Sequence, residues 1–183
     1  MTVRKIGFLA DTHSNRPDGS DLPDAVLKAF KGVDLIVHLG DVGRKGILDR
    51  LGEVAQVWVP YGDDKGYVPH LAREAEPVKV LDGRLGLTFN LTKPDKKIAV
   101  GQGAPTTIAY VDGALPALLQ RRFKADVAVV AFGGTHVAHA EERDGVLFVN
   151  PGSPTLPSDG PTGSVAVLDL STKKPKATLI RLP

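Results

Sequence analysis

The sequence predicts an α/β protein in which two packed β-sheets carry helices on their outer faces. Strand-like and helix-like patterns alternate over the first 60 residues, which is typical of parallel βαβ units. The second half of the chain is mostly strand-like, and Asp82-Gly83 between two apolar runs is a strong hairpin signal. A length of 183 residues without a linker-like segment predicts a single domain over residues 1–183.

The first third of the chain holds three apolar strand patterns, each followed by a loop rich in Asp, Gly or His. The helix between the first two strands shows apolar spacing of about 3.6 residues, and Asp21 is expected to be its N-cap. The expected elements are strand 4–10, helix 22–31, strand 34–39, helix 46–52 and strand 54–60. Because binding sites in open α/β sheets form beyond the carboxyl ends of strands, chemistry is expected in these loops.

The remaining elements follow from apolar runs and turn residues. Pro116 falls in the first turn of one helical pattern, where a proline is tolerated. The expected elements are hairpin strands 78–81 and 85–91, a loop with a short strand or hairpin within 92–112, helix 114–123, buried strand 126–132, and antiparallel strands 137–142, 145–149, 164–170 and 176–182. A loop rich in Pro, Gly and Ser spans 150–163.

The composition excludes several classes of function. The 23 basic and 21 acidic residues give a formal net charge of +2, so there is no electrostatic signal for nucleic acid or a membrane surface. The absence of cysteine excludes disulfides, thiolate catalysis and cysteine-ligated zinc. No run approaches the ~20 apolar residues of a spanning helix, and no secretory signal pattern is found, so a cytoplasmic protein is expected.

Two ionisable side chains leave the end of the first strand together. Asp11 and His13 are two residues apart, and in an extended segment such residues point the same way. Both side chains are therefore able to reach one metal ion.

Later strand ends add further candidate ligands. Asp41 follows Gly40 after the second strand, Asp63 follows Gly62 after the third, and His136 follows Gly133-Gly134-Thr135 after the strand at 126–132. Taken singly, Asp41 also fits a helix N-cap, Asp63 a solvated turn and His136 a structural histidine. Taken together, the Asp and His side chains form the mixed set that Mn, Fe, Ni or Zn accepts.

The order of these motifs resembles that of the calcineurin-like metallophosphoesterases, and most of all their compact bacterial and archaeal phosphodiesterase branch. The resemblance covers nearly the whole chain. It comprises a strand followed by DTHSN, then HLGD, a GDD turn in place of G-N-x-D, GGTH in place of GHTH, and NPGS before the last strands. It implies a four-layer αββα sandwich of two mixed sheets flanked by helices.

The resemblance also implies the metal ligands. The first metal would be bound by Asp11, His13, Asp41 and His136, all of which are present. The second would be bound by the bridging Asp41, by Asp63 in place of Asn, and by two histidines that this chain lacks. The hairpin strand Leu87-Thr88-Phe89-Asn90 has no histidine where the family has His-Gly, and Gly134 stands at the other histidine position. One divalent ion, Mn, Ni, Fe or Zn, is therefore expected, with the second site weak or absent.

The resemblance assigns fewer roles to other residues. Asn15 corresponds to a residue that meets a phosphate oxygen and is the expected substrate contact. Asp64 stands where some relatives have a histidine general acid, and an ordinary aspartate is ionised at pH 7, so no catalytic acid is assigned.

Two functions remain open from the sequence. The first is a metal-dependent phosphoesterase that hydrolyses phosphodiesters or activated phosphate esters by a metal-activated hydroxide, with a small phosphate ester as its partner. The second is a weakly active or inactive binding or scaffold module with a protein partner, because a scaffold subunit of eukaryotic retromer belongs to the same superfamily and also carries Asp in place of the Asn. A generic nucleotide-binding protein is disfavoured, since no G-x-G-x-x-G or P-loop pattern follows a strand.

Overall fold

The computed structural model of the chain describes residues 3–61, 72–74, 78–80, 83–92, 97–101, 107–111 and 113–183, with only the backbone described at 60, 61, 72–74, 78–80, 83 and 84. Three helices are described: α1 (Asp24–Ala29), α2 (Gly46–Gly52) and α3 (Leu115–Phe123). The strands are β1 (Lys5–Leu9), β2 (Leu35–His38), β3 (Gln56–Tyr61), β4 (Ala72–Glu74), β5 (Val78–Val80), β6 (Gly83–Leu87), β7 (Ala99–Val100), β8 (Ile108–Ala109), β9 (Val129–Ala131), β10 (Ala138–Arg143), β11 (Val146–Pro151), β12 (Ser164–Asp169) and β13 (Lys176–Arg181). None of these helices is long and apolar enough to cross a membrane.

Two mixed sheets contain most of the strands. The first sheet has the order β13-β12-β1-β2-β3-β4, and the second has the order β10-β11-β9-β6-β5. β1, β2 and β3 are parallel to one another, and β9 is parallel to both β6 and β11. The carboxyl ends of β1 and β2 therefore meet at one edge of the first sheet.

The core follows from strands that are apolar on both faces. In β1, Ile6 and Phe8 pack between the two sheets, whereas Leu9 packs with α1 and α2 on the outside of the first sheet. In β9, Val129 and Ala131 face the first sheet and Val130 faces α3. Because successive side chains of a strand point to opposite faces, such runs must be covered on both sides. The result is the four-layer αββα sandwich, and the predicted fold class is confirmed.

Most predicted elements are found near their expected positions. The parallel strands of the first 60 residues, the β5–β6 hairpin, α2 and α3 are confirmed, and β7 and β8 form the short hairpin expected within 92–112. The four antiparallel tail strands form two hairpins that lie in different sheets. β6 ends at Leu87 rather than at residue 91, and β4 was not predicted.

The predicted role of Asp21 as a helix N-cap is wrong. The helix begins after Pro23, and no side chain caps it. The carboxylate of Asp21 instead accepts hydrogen bonds from the Ser14 hydroxyl, at 2.7 Å, and from the backbone N–H groups of Asn15 and Arg16. Asp21 thus fixes the loop that follows Asp11 and His13.

Candidate metal centre

The loops after β1 and β2 run side by side beyond the edge of the first sheet. The N–H of Asp11 donates to the carbonyl of Gly40 at 2.9 Å, and the N–H of His13 donates to the carbonyl of Asp41 at 3.0 Å. These bonds continue the strand pairing past Leu9 and His38, where the regular strands end. They place Asp11, His13 and Asp41 next to one another.

The fourth predicted ligand comes from the second sheet. His136 lies in the loop after β9, and this loop is bonded directly to Asp11, because the N–H of Gly134 donates to Asp11 Oδ2 at 2.9 Å. The two sheets are packed face to face, so the edge that carries Asp11 and the edge that carries His136 adjoin. The candidate site therefore lies between the two sheets.

Three donor atoms converge at this point, and a carboxylate oxygen of Asp41 lies beside one of them, His13 Nε2. His13 Nε2 lies 3.2 Å from His136 Nε2 and 3.1 Å from Asp41 Oδ2, and His136 Nε2 lies 3.6 Å from Asp11 Oδ1. Asp11, His13 and His136 offer donor atoms that all lie within 4.8 Å of one another. Ligands bound at about 2.1 Å to one ion are separated by roughly 3.0–3.4 Å when their bonds meet at 90–110°. The observed spacing is thus close to that of a coordination shell.

The carboxylate of Asp11 requires a cation for its charge. The side chain is 0% exposed, and Oδ1 is a buried atom with no hydrogen-bond partner. Burial raises the pKa of Asp11 to about 6, although the nearby His136 and the N–H of Gly134 act in the opposite direction. A buried carboxylate oxygen that lies 3.6 Å from an imidazole nitrogen and has no hydrogen-bond partner is in the environment that a bound divalent ion would satisfy. The residues present therefore fit the metal that the sequence predicts.

The ring of His136 is held in the orientation that a metal ligand needs. Its Nδ1 lies 2.7 Å from the carbonyl oxygen of Leu156. Since a carbonyl only accepts, Nδ1 carries the proton and donates, and the neutral ring keeps a lone pair on Nε2. Nε2 is the nitrogen that faces Asp11 and His13, as is usual for a ligating histidine whose other nitrogen binds a carbonyl.

The backbone at the predicted ligands is strained. Among the described residues, six that are not glycine have a positive φ, and four of these are Asp11 at 54°, His13 at 45°, Asp41 at 56° and His136 at 59°. Such conformations cost about 1–3 kcal/mol each and persist where the surrounding structure imposes them. The strain is concentrated at the residues that the sequence selects as ligands.

A buried histidine ties the two loops of the first sheet together. His38 Nδ1 accepts from the Gly40 N–H at 3.3 Å, so its proton is on Nε2, which donates to the Thr12 hydroxyl at 2.9 Å. Thr12 Oγ1 in turn donates to the carbonyl of Val42 at 2.8 Å. His38 is 0% exposed, and burial lowers its pKa to about 3, so the ring is neutral. Its side chain positions Thr12 between Asp11 and His13.

The centre is closed on one side and open on the other. Asp11 is fully buried, whereas the side chains of His13 and Asp41 are 34% and 37% exposed. Asn15, the expected substrate contact, is exposed two residues beyond His13. Asp63, the expected ligand of a second ion, lies outside the described residues, as does Asp64.

The comparison with known proteins assigns the chain to a family. The calcineurin-like phosphoesterase superfamily domain matches residues 5–173, which is most of the chain. The chain belongs to this superfamily. The resemblance inferred from the motifs is thereby confirmed, and the family implies a divalent metal and a phosphoesterase at a general level.

Individual relatives agree with this membership. The chain is 32% identical over 178 residues to a protein of Methanothermobacter thermautotrophicus named a probable metallophosphoesterase, with 96% of this chain and 91% of the relative covered. It is 29% identical over 184 residues to the phosphodiesterase YfcE of Escherichia coli K12, covering 91% of this chain and 88% of the relative. The solved structure of wild-type Vps29 from Entamoeba histolytica complexed with Zn²⁺ has the same fold, with a TM-score of 0.62, 22% identity and coverage of 97% of this chain and 98% of that one.

In this calcineurin-like chain the ring of Phe89, from the hairpin strand that lacks the family's histidine, lies beside the centre. An added Cβ at Gly40 would lie 2.4 Å from Phe89 Cδ2, one at Gly133 would lie 3.2 Å from the same atom, and one at Gly134 would lie 3.5 Å from Phe89 Cζ. The ring therefore packs against the glycines that precede Asp41 and His136. Gly134, the position of the other missing histidine, is part of the same apolar contact.

Sequence reasoning missed the residues that hold the ligands in place. Ser153 Oγ donates to the carbonyl of Asp11 at 2.7 Å, and Thr155 Oγ1 donates to the carbonyl of Thr12 at 2.8 Å. Asn150 Nδ2 donates to Thr135 Oγ1 at 3.0 Å, and the side-chain oxygen Oδ1 of Asn150 accepts from the Gly152 N–H. The NPGS motif signalled a turn beside the site, but its bonds to the loop after β1 had no sequence signal.

Proposed function

We propose that this chain is a metal-dependent phosphoesterase that hydrolyses phosphodiesters or activated phosphate esters at the centre formed by Asp11, His13, Asp41 and His136. The observation that carries the proposal is the unpartnered, fully buried Oδ1 of Asp11, which lies 3.6 Å from the lone-pair nitrogen of His136. Together with family membership, this donor set supports a divalent ion rather than a structural ion pair.

When bound, the ion would activate a water as a nucleophile near neutral pH and polarise a phosphoryl oxygen. The protein's own residues would hold and orient it. Asp11 contributes charge from the buried side, His136 contributes Nε2 because Leu156 holds its Nδ1 proton, and His13 and Asp41 complete the set from the solvent side. Among the described residues, the half-exposed side chains of His13 and Asp41 mark the side from which a phosphate ester would approach.

The loop after His13 is the proposed contact for the phosphate. Asp21 fixes this loop through the Ser14 hydroxyl and the Asn15 N–H. The Asn15 side chain is exposed, and an amide N–H₂ group is a suitable donor to an equatorial phosphoryl oxygen. Mn, Ni, Fe or Zn remains the proposed choice of metal, and the cytoplasmic location stays a prediction.

We also propose that each chain binds one ion tightly. Phe89 and Gly134 offer no donor atom from their side chains, and the ring of Phe89 covers Gly40, which precedes the Asp41 that would bridge two ions. Asp63 is the remaining candidate ligand for a second ion. A weak or absent second ion is therefore expected.

The contact of Phe89 with Gly40 also favours a second candidate function. An enzyme that lacks the second ion has less capacity to stabilise the in-line displacement at phosphorus. The alternative is a binding or scaffold module that keeps one ion and has a protein partner. Vps29 structures are among those of similar fold, but identities of 22% or less show only the fold.

Hydrolysis assays separate the two functions. Metal-stripped protein is supplied with Mn²⁺, Ni²⁺, Fe²⁺ or Zn²⁺ in turn, and release of p-nitrophenol from bis(p-nitrophenyl) phosphate is compared with release from p-nitrophenyl phosphate. The Asp41→Ala variant is the inactive control. Hydrolysis of the diester above this control supports the enzyme, whereas rates equal to the control with every metal support the binding module.

A further inference from the structure

We propose that Asp159 is a positioning residue of the metal centre: it anchors the 153–159 segment, whose Leu156 carbonyl orients the imidazole of His136. The inference rests on the proposed metal centre and extends it to a residue outside the ligand loops. Neither the family motifs nor the strand-end pattern selects Asp159.

The 153–159 segment first crosses the loop after β1. The Ser153 hydroxyl donates to the carbonyl of Asp11 and accepts from the N–H of Leu156 at 2.8 Å, so one side chain connects the ligand loop with the segment. The Thr155 hydroxyl donates to the carbonyl of Thr12. This end of the segment is fixed to the first sheet.

The middle of the segment then holds His136. The carbonyl of Leu156 accepts the Nδ1 proton of His136 at 2.7 Å, and the N–H of Ser158 donates to the carbonyl of His136 at 2.9 Å. Both bonds are made by the backbone of the segment. Their geometry therefore depends on the path of the backbone and not on the identity of the side chain at position 156.

Asp159 fixes the far end of that path. Its side chain is 4% exposed and accepts from Arg181 Nη1 at 2.9 Å, from Arg181 Nη2 at 2.6 Å and from the N–H of Ala138 at 2.8 Å. Arg181 belongs to the edge strand β13 of the first sheet, and Ala138 begins the edge strand β10 of the second. Asp159 thus connects the edges of both sheets, and its partner in β10, Ala138, is two residues after His136 in the chain.

Loss of this anchor is expected to act on the metal through His136. Without it, the segment keeps its bonds at Ser153 and Thr155 and the Ser158 N–H bond to His136, but its far end is no longer fixed to the sheet edges, so the Leu156 carbonyl is held less firmly against Nδ1. Removal of a group that orients a ligating histidine weakens metal binding by about 10–100-fold. Asp159 is placed one step further out, so an effect of roughly 10-fold is expected.

The test is a titration of the metal-stripped full-length protein with Mn²⁺ by calorimetry. Asp159→Asn is compared with wild type and with the matched control Asp34→Asn. Like Asp159, Asp34 accepts hydrogen bonds from backbone N–H groups, those of Arg4 and Lys5. It lies at the ends of β1 and β2 that are away from the metal centre. Arg181→Met is the second variant. It removes the bidentate partner of Asp159 and leaves Asp159 itself intact, and the Arg181 side chain is 46% exposed.

The expected result is a Kd for Mn²⁺ that rises about 10-fold in Asp159→Asn and by several-fold in Arg181→Met, with no change in Asp34→Asn. The double variant Asp159→Asn/Arg181→Met should bind no more weakly than Asp159→Asn alone, because both changes break one contact. Saturating Mn²⁺ should restore the wild-type kcat if hydrolysis is observed, which a general loss of folding would not allow.

Two negative outcomes are distinguishable. If wild type binds no Mn²⁺ at its cluster, the proposed metal centre itself fails. If wild type binds Mn²⁺ and both Asp159→Asn and Arg181→Met bind it equally well, or if Asp34→Asn weakens binding as much, the positioning role of Asp159 is wrong and the metal centre stands.

Discussion

The Nε2 atoms of His13 and His136 lie 3.2 Å apart, although 123 residues separate them in the chain and they follow strands of different sheets. Such an approach of two imidazole nitrogens leaves room for at most one proton between them. With Asp11 and Asp41 beside them, the pair forms a centre that a single divalent ion would hold together.

The first prediction concerns Ser153, whose buried hydroxyl bonds to the carbonyl of Asp11 and to the N–H of Leu156. Ser153→Ala leaves both groups without this partner, so we expect the free energy of unfolding of the metal-free protein to fall by about 1–3 kcal/mol. Urea denaturation measures the change. Ser171→Ala is the control, because Ser171 is exposed and its hydroxyl bonds to Asp169, and there the loss should stay within about 0.5 kcal/mol. Equal losses in the two variants would contradict the bracing role of Ser153.

The second prediction uses two glycines that both have a positive φ. A Cβ at Gly40 would lie 2.4 Å from Phe89 Cδ2, whereas a Cβ at Gly32 would have no heavy atom within 4 Å. Gly32→Ala is expected to cost only the left-handed backbone penalty, about 1–2 kcal/mol. Gly40→Ala should cost at least about 1 kcal/mol more, because the Phe89 ring must move. Thermal or urea unfolding of both variants tests this, and a smaller loss for Gly40→Ala would show that the Phe89 contact is loose.

The third prediction follows from the neutral state of His38. Burial lowers its folded pKa to about 3, below the ordinary value of 6.5, so the unfolded chain binds a proton between these pH values that the folded protein does not. Stability from this group is therefore lost as pH falls from about 6.5 toward 3. His38→Gln keeps an N–H donor for Thr12 but does not titrate, so its stability should fall less steeply over this range, by up to about 1.4 kcal/mol per pH unit.

Urea unfolding at pH 7, 6 and 5 compares wild type with His38→Gln. All other titrating groups are common to the two proteins, so the difference between their pH profiles isolates His38. Parallel profiles would mean that folding does not change proton binding by His38, so that its pKa in the folded protein is not lowered.

The fourth prediction concerns the number of ions. Phe89→His combined with Gly134→His replaces the ring and the glycine with two imidazoles next to Asp41, and we expect the bound metal to rise from about one to about two ions per chain. Metal analysis after equilibration with excess Mn²⁺ and removal of the free ion measures this. Phe89→Leu is the control, because it removes the ring without adding a ligand and should stay near one ion. Two tightly held ions in wild type would show that Phe89 does not limit the site.

The fold could be predicted from the sequence because it depends on the order of the strands, and the four proposed ligands could be selected because they follow strand ends. Their role as ligands stays a prediction. The parallel strands β1 and β2 place Asp11, His13 and Asp41 at one edge, and the apolar strand before Gly133-Gly134 places His136 at the other sheet. The contacts of Asp21 were not predictable in the same way. An Asp just before a helical pattern fits an N-cap as well as a loop brace, and only the fold brings Ser14 within reach of its carboxylate.

Long-range supports were also beyond sequence reasoning. Asp159 and Arg181 are 22 residues apart, and nothing in either local pattern indicates that the two side chains pair across the edges of the sheets. Likewise, the absence of two histidines could be read from the motifs. That the Phe89 ring packs on Gly40, Gly133 and Gly134 required the structure.

Metal binding by wild type and His136→Ala tests the shared centre most directly. The matched control is His139→Ala, a histidine in β10 whose Nε2 pairs with Glu141. Calorimetry with Mn²⁺ should give about one ion for wild type and for His139→Ala. For His136→Ala, affinity should fall by more than the roughly 10–100-fold that loss of an outer partner costs. Unchanged binding by His136→Ala would contradict the centre between the two sheets.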